Sequence, residues 1–468
     1  MPDRPLGGRL GSGLASFALA GAAALAGCSQ MADAPGVGKP PAPVLSVAVD
    51  SSGGPLARSL VVTTAASESV RVDYWTAGAP RLRVTAFDSG QGASVFLPRL
   101  RANATYAVEV RPVGGNGTPG DPVDDTLTTD SLPAALAAFT FKVQGSASFP
   151  LAMLELQGTF PGWVIVDSTG QVVWFHQGCP QGFTRRANGD FVFLDTCSGI
   201  AEVAPDGRVV RSLQPAYAVN HDVIATPQNT VLFLAWDPRV VNDTTWVGDA
   251  IWEWNPEAGT AVERWSALDY LSTATDRGPS SAPDDWLHAN SLAIGPHGNI
   301  VVSLLLLGQV ISLSPDFSRI EWRLGGPNSS FAVDSDAETY GQHTAAEVAP
   351  DLVLVFDNMT FDSLTASRHS RGLEIALDTV AGAAHEVREF RPQPDNWAPI
   401  IGSDRLLPNG DFLVSFGLSS GVDGASGPIA AYEVTPAGAV VWRLEVDGPE
   451  TNYRTTALTS VGNEVEVQ

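Results

Sequence analysis

Hairpins of one design recur six times beyond residue 140, and a repeat of this kind constrains the fold more than any single motif does. Each copy is a strand, a polar turn containing Gly or Pro, and a second strand, often with a tryptophan near its end. The copies are WVIVDSTGQVVWF, IAEVAPDGRVVRSL, AIWEWNPEAGTAVERW, VISLSPDFSRIEWRL, LEIALDTVAGAAHEVREF and AYEVTPAGAVVWRLEV. Between them runs a second unit of strand, turn and apolar strand: RRANGDFVFLD, HDVIATPQNTVLFLAWD, HANSLAIGPHGNIVVSLL, HTAAEVAPDLVLVFD and SDRLLPNGDFLVSFG. A sixth copy of this unit requires the two ends of the region, near 145 to 160 and 452 to 466, to meet. Four strands per repeat, six times over, predict a six-bladed β-propeller across residues 140–466, because circular closure leaves few open sheet edges.

Upstream the pattern differs. Residues 43–130 carry short alternating runs (SLVVTTAA, SVRVDYWTA, RLRVTAF, TYAVEVRPV) separated by turn residues, as in a β-sandwich. LPRLRANATYAVEVRPV resembles the late strand of a fibronectin type III domain, with Tyr106 as the tyrosine that packs the corner. The fold class expected is therefore all-β: a small fibronectin type III-like sandwich followed by a six-bladed propeller. The 46 Gly, 34 Pro and only 17% charged residues agree with many strands and many turns. A formal net charge of -24 excludes a polyanion-binding surface, since nucleic-acid recognition needs clustered Lys and Arg.

Residues 1–27 read as an export signal: Arg4 and Arg9, then the apolar, small-sided run GLASFALAGAAALAGC, too short to span a bilayer. LAGC resembles a bacterial lipobox, in which cleavage precedes the cysteine and the Cys28 thiol is lipidated. Residues 28–42, rich in Pro, Ala and Gly, then form a tether. The expected location is the bacterial cell envelope, lipid-anchored at the outer membrane's periplasmic face or the cell surface. Cys179 and Cys197 are an even pair in an exported chain, where disulfides persist.

The candidate chemistry lies in histidine. Of seven histidines, His221, His288 and His343 head the inner unit in three consecutive repeats, nine, eleven and nine residues before the next apolar strand. Equivalent positions in neighbouring blades converge on the central axis, so the three face one another at the channel mouth. Neutral imidazoles of this number suit a three-histidine metal site with an open position. Equally, one imidazole suits a nucleophile with the others as proton carriers and donors. Spacing does not choose between these.

DDWLHANSL, NIVVSL, EWRLGG, GQHTAA, LVLVFDN and SRGLEIALD together resemble the bacterial arylsulfate sulfotransferases, PAPS-independent enzymes with a six-bladed propeller and an N-terminal β-sandwich. The resemblance covers most of residues 43–460 and is densest from 160 to 375. It implies that His343 takes the sulfuryl group as a sulfohistidine. His221 and His288 then contact the sulfate and the bridging phenolic oxygen, Asn290 hydrogen-bonds the sulfate, and a phenol accepts the group in ping-pong fashion. It implies small phenols and aryl sulfates as partners, with no cofactor and no metal.

One position departs from that pattern. Leu305 in VVSLLLLG stands where the family places an arginine, and a neutral residue does not replace a guanidinium fork. Arg185, Arg186 and Arg405, on neighbouring inner units, are candidates to supply the charge. Two other readings therefore stay open: a diverged or non-catalytic propeller binding module, and a three-histidine metal-dependent hydrolase or lyase. Trp286 is a candidate for the mouth or for blade packing. Asp357 and Asn358 read as a turn with Asx hydrogen bonding, and Ser370 and Arg371 as part of a structural salt bridge. His176, His297, His369 and His385 fall on hairpins and turns and are expected to be exposed. No G-x-S-x-G elbow supports a serine hydrolase.

Lipidation is checked directly. Cells fed radiolabelled palmitate are expected to label the wild-type protein and not its Cys28→Ala variant; an unlabelled wild-type protein contradicts the lipobox reading.

Overall fold

Strands here follow the burial that the sequence pattern allows. Arg58–Thr64 and Thr105–Val113 alternate buried and exposed residues, the period of a strand with one face on a core and one in water. Ile300–Leu304 and Phe412–Phe416 are buried at every position, as apolar runs must be when a sheet is covered on both faces. In the computed structural model, which describes residues 40–88, 92–361 and 368–467, the protein is all-β. Its sheets are four of four strands, three of five and one of three, with two four-residue helices, Ala134–Ala137 and Ala267–Tyr270. The leader, Cys28 and nearly all of the expected tether lie outside the described residues.

Two of the sheets come from the N-terminal part. Val44–Asp50, Arg58–Thr64 and Ala93–Leu97 form one; Glu68–Trp75, Arg81–Asp88, Thr105–Val113 and Val123–Thr128 form most of the other. Leu60, Val62, Val72, Val95 and Val108 pack between them, each fully or almost fully buried. The Tyr106 hydroxyl accepts the Arg101 N–H at 2.8 Å, tying its strand to the chain just upstream as a tyrosine corner does.

The other six sheets follow one another in sequence. Their innermost strands are Thr451–Leu458, Pro180–Arg185, Val219–Ala225, Ala289–Ile294, Gln342–Ala349 and Ser403–Leu406, for the first to the sixth sheet. Each touches the next, and the sixth returns to the first. Apolar side chains fill the space between neighbouring sheets: Leu232, Leu234 and Ile251 of the third meet Leu292, Val302 and Ile311 of the fourth. Each such side chain contributes roughly 1.5–3 kcal/mol on burial.

Closure is made twice. Thr451–Leu458 pairs with Leu151–Gln157 as the inner strand of the first sheet, and Thr140–Gly145 pairs with Val440–Asp447 on the outer side of the sixth. The expected join near 452 to 466 is thus shorter than the sequence suggested. Val465–Val467 leaves the ring and pairs with Arg81–Arg83 of the N-terminal sheet, where Glu466 meets the buried Arg99 at 2.8 Å. Arg101 binds Asp167 at 2.6 Å and joins the same part to the first sheet.

Cys179 and Cys197 form a disulfide across a separation of 18 residues, at the ends of the first two strands of the second sheet. Asp195 Oδ1 accepts both cysteine N–H groups, so the loop is folded toward the bond before it forms. Removing both cysteines by alanine substitution is expected to cost roughly 3 kcal/mol of stability. Denaturant midpoints of wild-type and doubly substituted protein check this, and two titratable thiols in the unreduced protein refute the bridge.

Candidate active site

At one end of the ring the inner strands break register. Among the described residues, shifts occur in five of the six: between Pro180 and Gly182, Asn220 and Val223, Ala289 and Ser291, His343 and Ala345, and Asn452 and Thr455. A bulge re-aims side chains and leaves backbone to be satisfied by other partners. His221 and His288 adopt left-handed φ of 52° and 53°, and Thr344, next to His343, has 53°. Non-glycine residues hold this conformation only when neighbours fix it. Here Gln181 Oε1 accepts the His221 N–H at 3.0 Å, the His288 carbonyl accepts the Leu305 N–H at 3.2 Å, and Thr344 Oγ1 donates to the Gly402 carbonyl at 2.9 Å.

The three histidines meet as the repeat phase predicts. The His221 and His288 rings lie 4.5 Å apart, and a charge on either His288 or His343 bears on His221. Their electrostatics differ. His343 is almost fully buried, and burial lowers its basicity to about 3; the Asn358 hydrogen bond works against this, and the His288 and Arg454 charges work with it. His221 is held well below the usual histidine range by burial, then by the charges of His288, His343 and Arg454. His288 goes the other way: burial opposes its charge, but the hydrogen bond to Asp285 Oδ2 at 2.7 Å and the charges of Asp285 and Asp249 outweigh it and raise it.

Hydrogen bonds assign the His343 tautomer. Asn358 donates from Nδ2 to the carbonyls of Ala398 and Ile401, each at 2.7 Å, which turns Oδ1 toward His343 Nδ1, also at 2.7 Å. An amide oxygen only accepts, so Nδ1 carries the proton and Nε2 keeps its lone pair. With the ring neutral at physiological pH, Nε2 is an available nucleophile. His221 Nδ1 lies 2.9 Å from the buried Tyr453 hydroxyl, whose ring stacks on the imidazole at 6.0 Å.

Sequence reasoning missed Arg454. It sits in the bulge of the closing strand, fully buried, with Nη1 on Asp222 Oδ1 at 2.6 Å and Nη2 on the Asn290 carbonyl at 2.7 Å. The one echo in the sequence is Asn452, which opens this bulge as Asn220 opens that of the third sheet. Of the arginines expected instead, Arg185 is tied to the carbonyls of Ser460 and Val461, and Arg186 to Glu202. Arg405 is half-buried, within the electrostatic reach of Arg454, Asp222 and Glu155.

Several expectations need correction. Asn290 has no exposed surface; its amide donates to the Gln342 carbonyl at 2.9 Å and joins two inner strands, while its Oδ1 has no partner among the described residues. Trp286 is core: fully buried, bonded to the Asp276 carbonyl and edge-on to Trp246. Besides Tyr453, Trp236 faces the histidines, edge-on to His288 at 6.1 Å. Asn358 is the partner of His343 and not merely a turn residue. His369 is buried, and His176 is half-buried because Trp174 and Phe193 stack against its ring. Arg371 pairs with Asp357 at 3.2 Å, as expected. Leu305 opens a short buried turn, Leu305–Leu307, and presents no charge. Among the described residues, one set of three metal-ligand side chains brings all its donor atoms within 4.8 Å: Cys179, Asp195 and Cys197. The histidine trio forms no such set.

A family model described as Arylsulfotransferase (ASST) matches residues 151–454. No curated protein matches the chain. Among solved structures, a protein of unknown function from Bacteroides caccae is 13% identical with a TM-score of 0.45, over 66% of this chain and 98% of that one. A catalytically inactive virginiamycin B lyase from Staphylococcus aureus is 10% identical with a TM-score of 0.36, over 66% and 99%. An auxiliary nutrient binding protein from Bacteroides ovatus is 12% identical with a TM-score of 0.37, over 90% and 92%. Nothing about function follows from likenesses this remote.

The buried neutral state of His343 has a thermodynamic signature. Between the ordinary histidine value of 6.5 and about 3, the unfolded chain binds a proton there that the folded chain does not. Stability therefore falls as pH falls through that window. The denaturation midpoint of His343→Gln is expected to fall less steeply with acidification than that of the wild type; equal slopes contradict the assignment.

Proposed function

This chain belongs to the arylsulfotransferase family, and from that premise we propose that it transfers a sulfuryl group from an aryl sulfate to a phenol through a sulfohistidine on His343. The observation that carries the reading is the Asn358 clamp, which leaves His343 Nε2 with a free lone pair in a ring that stays neutral. His343 Nε2 attacks sulfur, the bond from sulfur to the aryl oxygen breaks, and the departing phenolate takes a proton from His288. A second phenol then gives its proton back to His288 and attacks sulfur, the bond from sulfur to nitrogen breaks, and the enzyme is restored.

The division of labour follows from the environments. His288, held by Asp285 with its basicity raised, suits proton transfer near neutral pH. His221, neutral and bonded to Tyr453 at Nδ1, suits hydrogen bonding to the sulfate. Arg454 offers fixed positive charge beneath the cluster in place of the arginine absent at Leu305. The six sheets with contacts running round from the sixth to the first support a six-bladed β-propeller over most of 140–466, preceded by a fibronectin type III-like sandwich. Cys28 as a lipid anchor completes the reading with an exported, membrane-tethered enzyme.

Leu305 favours one other reading, a propeller that keeps the histidines for binding without turnover. Exposure to 4-nitrophenyl sulfate separates the two. Transfer predicts released nitrophenol and an adduct of about 80 Da on the peptide containing His343, as covalent catalysis requires. His343→Ala is expected to lose both. His288→Gln is expected to lower turnover by about 10² to 10⁴, the range of a single general acid-base group. Neither adduct nor phenyl sulfate in the presence of phenol overturns the proposal.

A further inference from the structure

Resting on the sulfuryl-transfer reading, we propose that a cavity between the fourth and fifth sheets is the aryl subsite, built for an uncharged phenol of two fused rings. The cavity measures about 470 Å³, within the range that encloses compact organic ligands. It lies on the histidine side of the ring. Its walls are the Leu305–Leu307 turn, which leaves Ile300–Leu304 opposite Ala289, and the segment from Leu324 to Gly341 that leads into Gln342 and His343.

Both walls are bonded to the site. Leu305 and Leu306 donate their N–H groups to the carbonyls of His288 and Leu287, and Gly341 accepts the N–H of Asn358, the partner of His343. None of the three histidines is among the described lining residues; the cavity adjoins them through these backbone bonds, one wall bonded to His288 and the other ending two residues before His343.

The lining states the chemistry of the occupant. Leu306, Leu307, Tyr340 and Phe361 give apolar and aromatic surface, and Glu338 is the one carboxylate among the described lining residues, accepting the Tyr340 hydroxyl at 2.5 Å. No Lys, Arg or His lines it, so it does not seat the sulfate; the anion belongs with the histidines and Arg454, and the aromatic body belongs here. Gly341, at φ 98°, lets the Phe361 ring lie against bare backbone: a Cβ there would meet the ring at 3.2 Å. A fused second ring covers more of the apolar leucine and aromatic surface than a single ring does. The leucine run is thus the binding surface that replaces a charged contact with an apolar one.

The test uses 2-naphthol and phenol with the full-length protein. Affinities measured without donor are expected to favour 2-naphthol by at least about tenfold, the discrimination a few apolar atoms give in an enclosed pocket. Ser280→Trp, at an exposed rim position, and Phe361→Ala, also substantially exposed, are expected to collapse that ratio while circular dichroism stays that of the wild type. An unchanged ratio in both variants overturns the subsite. With 4-nitrophenyl sulfate as donor, naphthyl sulfate is expected to form in preference to phenyl sulfate; phenyl sulfate alone, with naphthol bound, also overturns it. Transfer to neither acceptor, together with a ratio that still responds to the two substitutions, sinks the transferase reading and leaves the aryl site standing.

Discussion

The buried ion pair of Arg454 and Asp222 is the contact on which the rest of the site depends. Taking two charges out of water costs several kcal/mol per ion unless further hydrogen bonds satisfy them. Here they do. Asp222 accepts the N–H of Val223 on its own strand and that of Leu292 on the next, while Arg454 reaches across to the Asn290 carbonyl. One pair thereby links the inner strands of the first, third and fourth sheets at the end where the histidines stand. Breaking it from one side strands the other charge, typically at a cost of about 3–5 kcal/mol. Burial is the main reason His221 and His343 stay neutral, and the same guanidinium adds to it, so the group that holds the strands together also opposes charge on the imidazoles.

The molecule as a whole is strongly acidic, with a formal net charge of -24, yet the anion it is read to handle is negative. The contrast resolves over distance. Exposed charges are screened beyond roughly 8 Å at physiological ionic strength, while buried ones are screened far less. What matters to a sulfate at the channel mouth is the local set: Arg454 below, His288 held by Asp285, and neutral donors beside them. Arg405, half-buried within electrostatic reach of Arg454, adds positive charge there, while Asp222, paired with Arg454, and Glu155, pushed up to about 7 by burial, offset part of it.

Much of this was legible in the chain. The hairpin repeats gave the sheets almost strand for strand, because alternation and turn chemistry are local properties that the sequence carries openly. His221, His288 and His343 could be placed from repeat phase alone. What the repeat could not supply were the contacts made between copies. Asn358 looks like a turn residue until the carbonyls of Ala398 and Ile401, from the next sheet, turn its amide. Asn290 looks like a ligand-facing donor until the neighbouring strand takes its proton. Arg454 was hidden because it lies on the strand that closes the ring, where no adjacent copy in sequence sets its phase.

That closing strand has a consequence for the order in which the protein comes into being. Thr451–Leu458 is the inner strand of the first sheet, but it follows every other strand of the six sheets in the chain. A chain made only as far as its middle sheets lacks Tyr453 and Arg454 until the sixth sheet has also been made. Completion of the site is therefore tied to closure of the ring. A chain that stops before Thr451 keeps its histidines but lacks the charge and the hydroxyl that stand beside them.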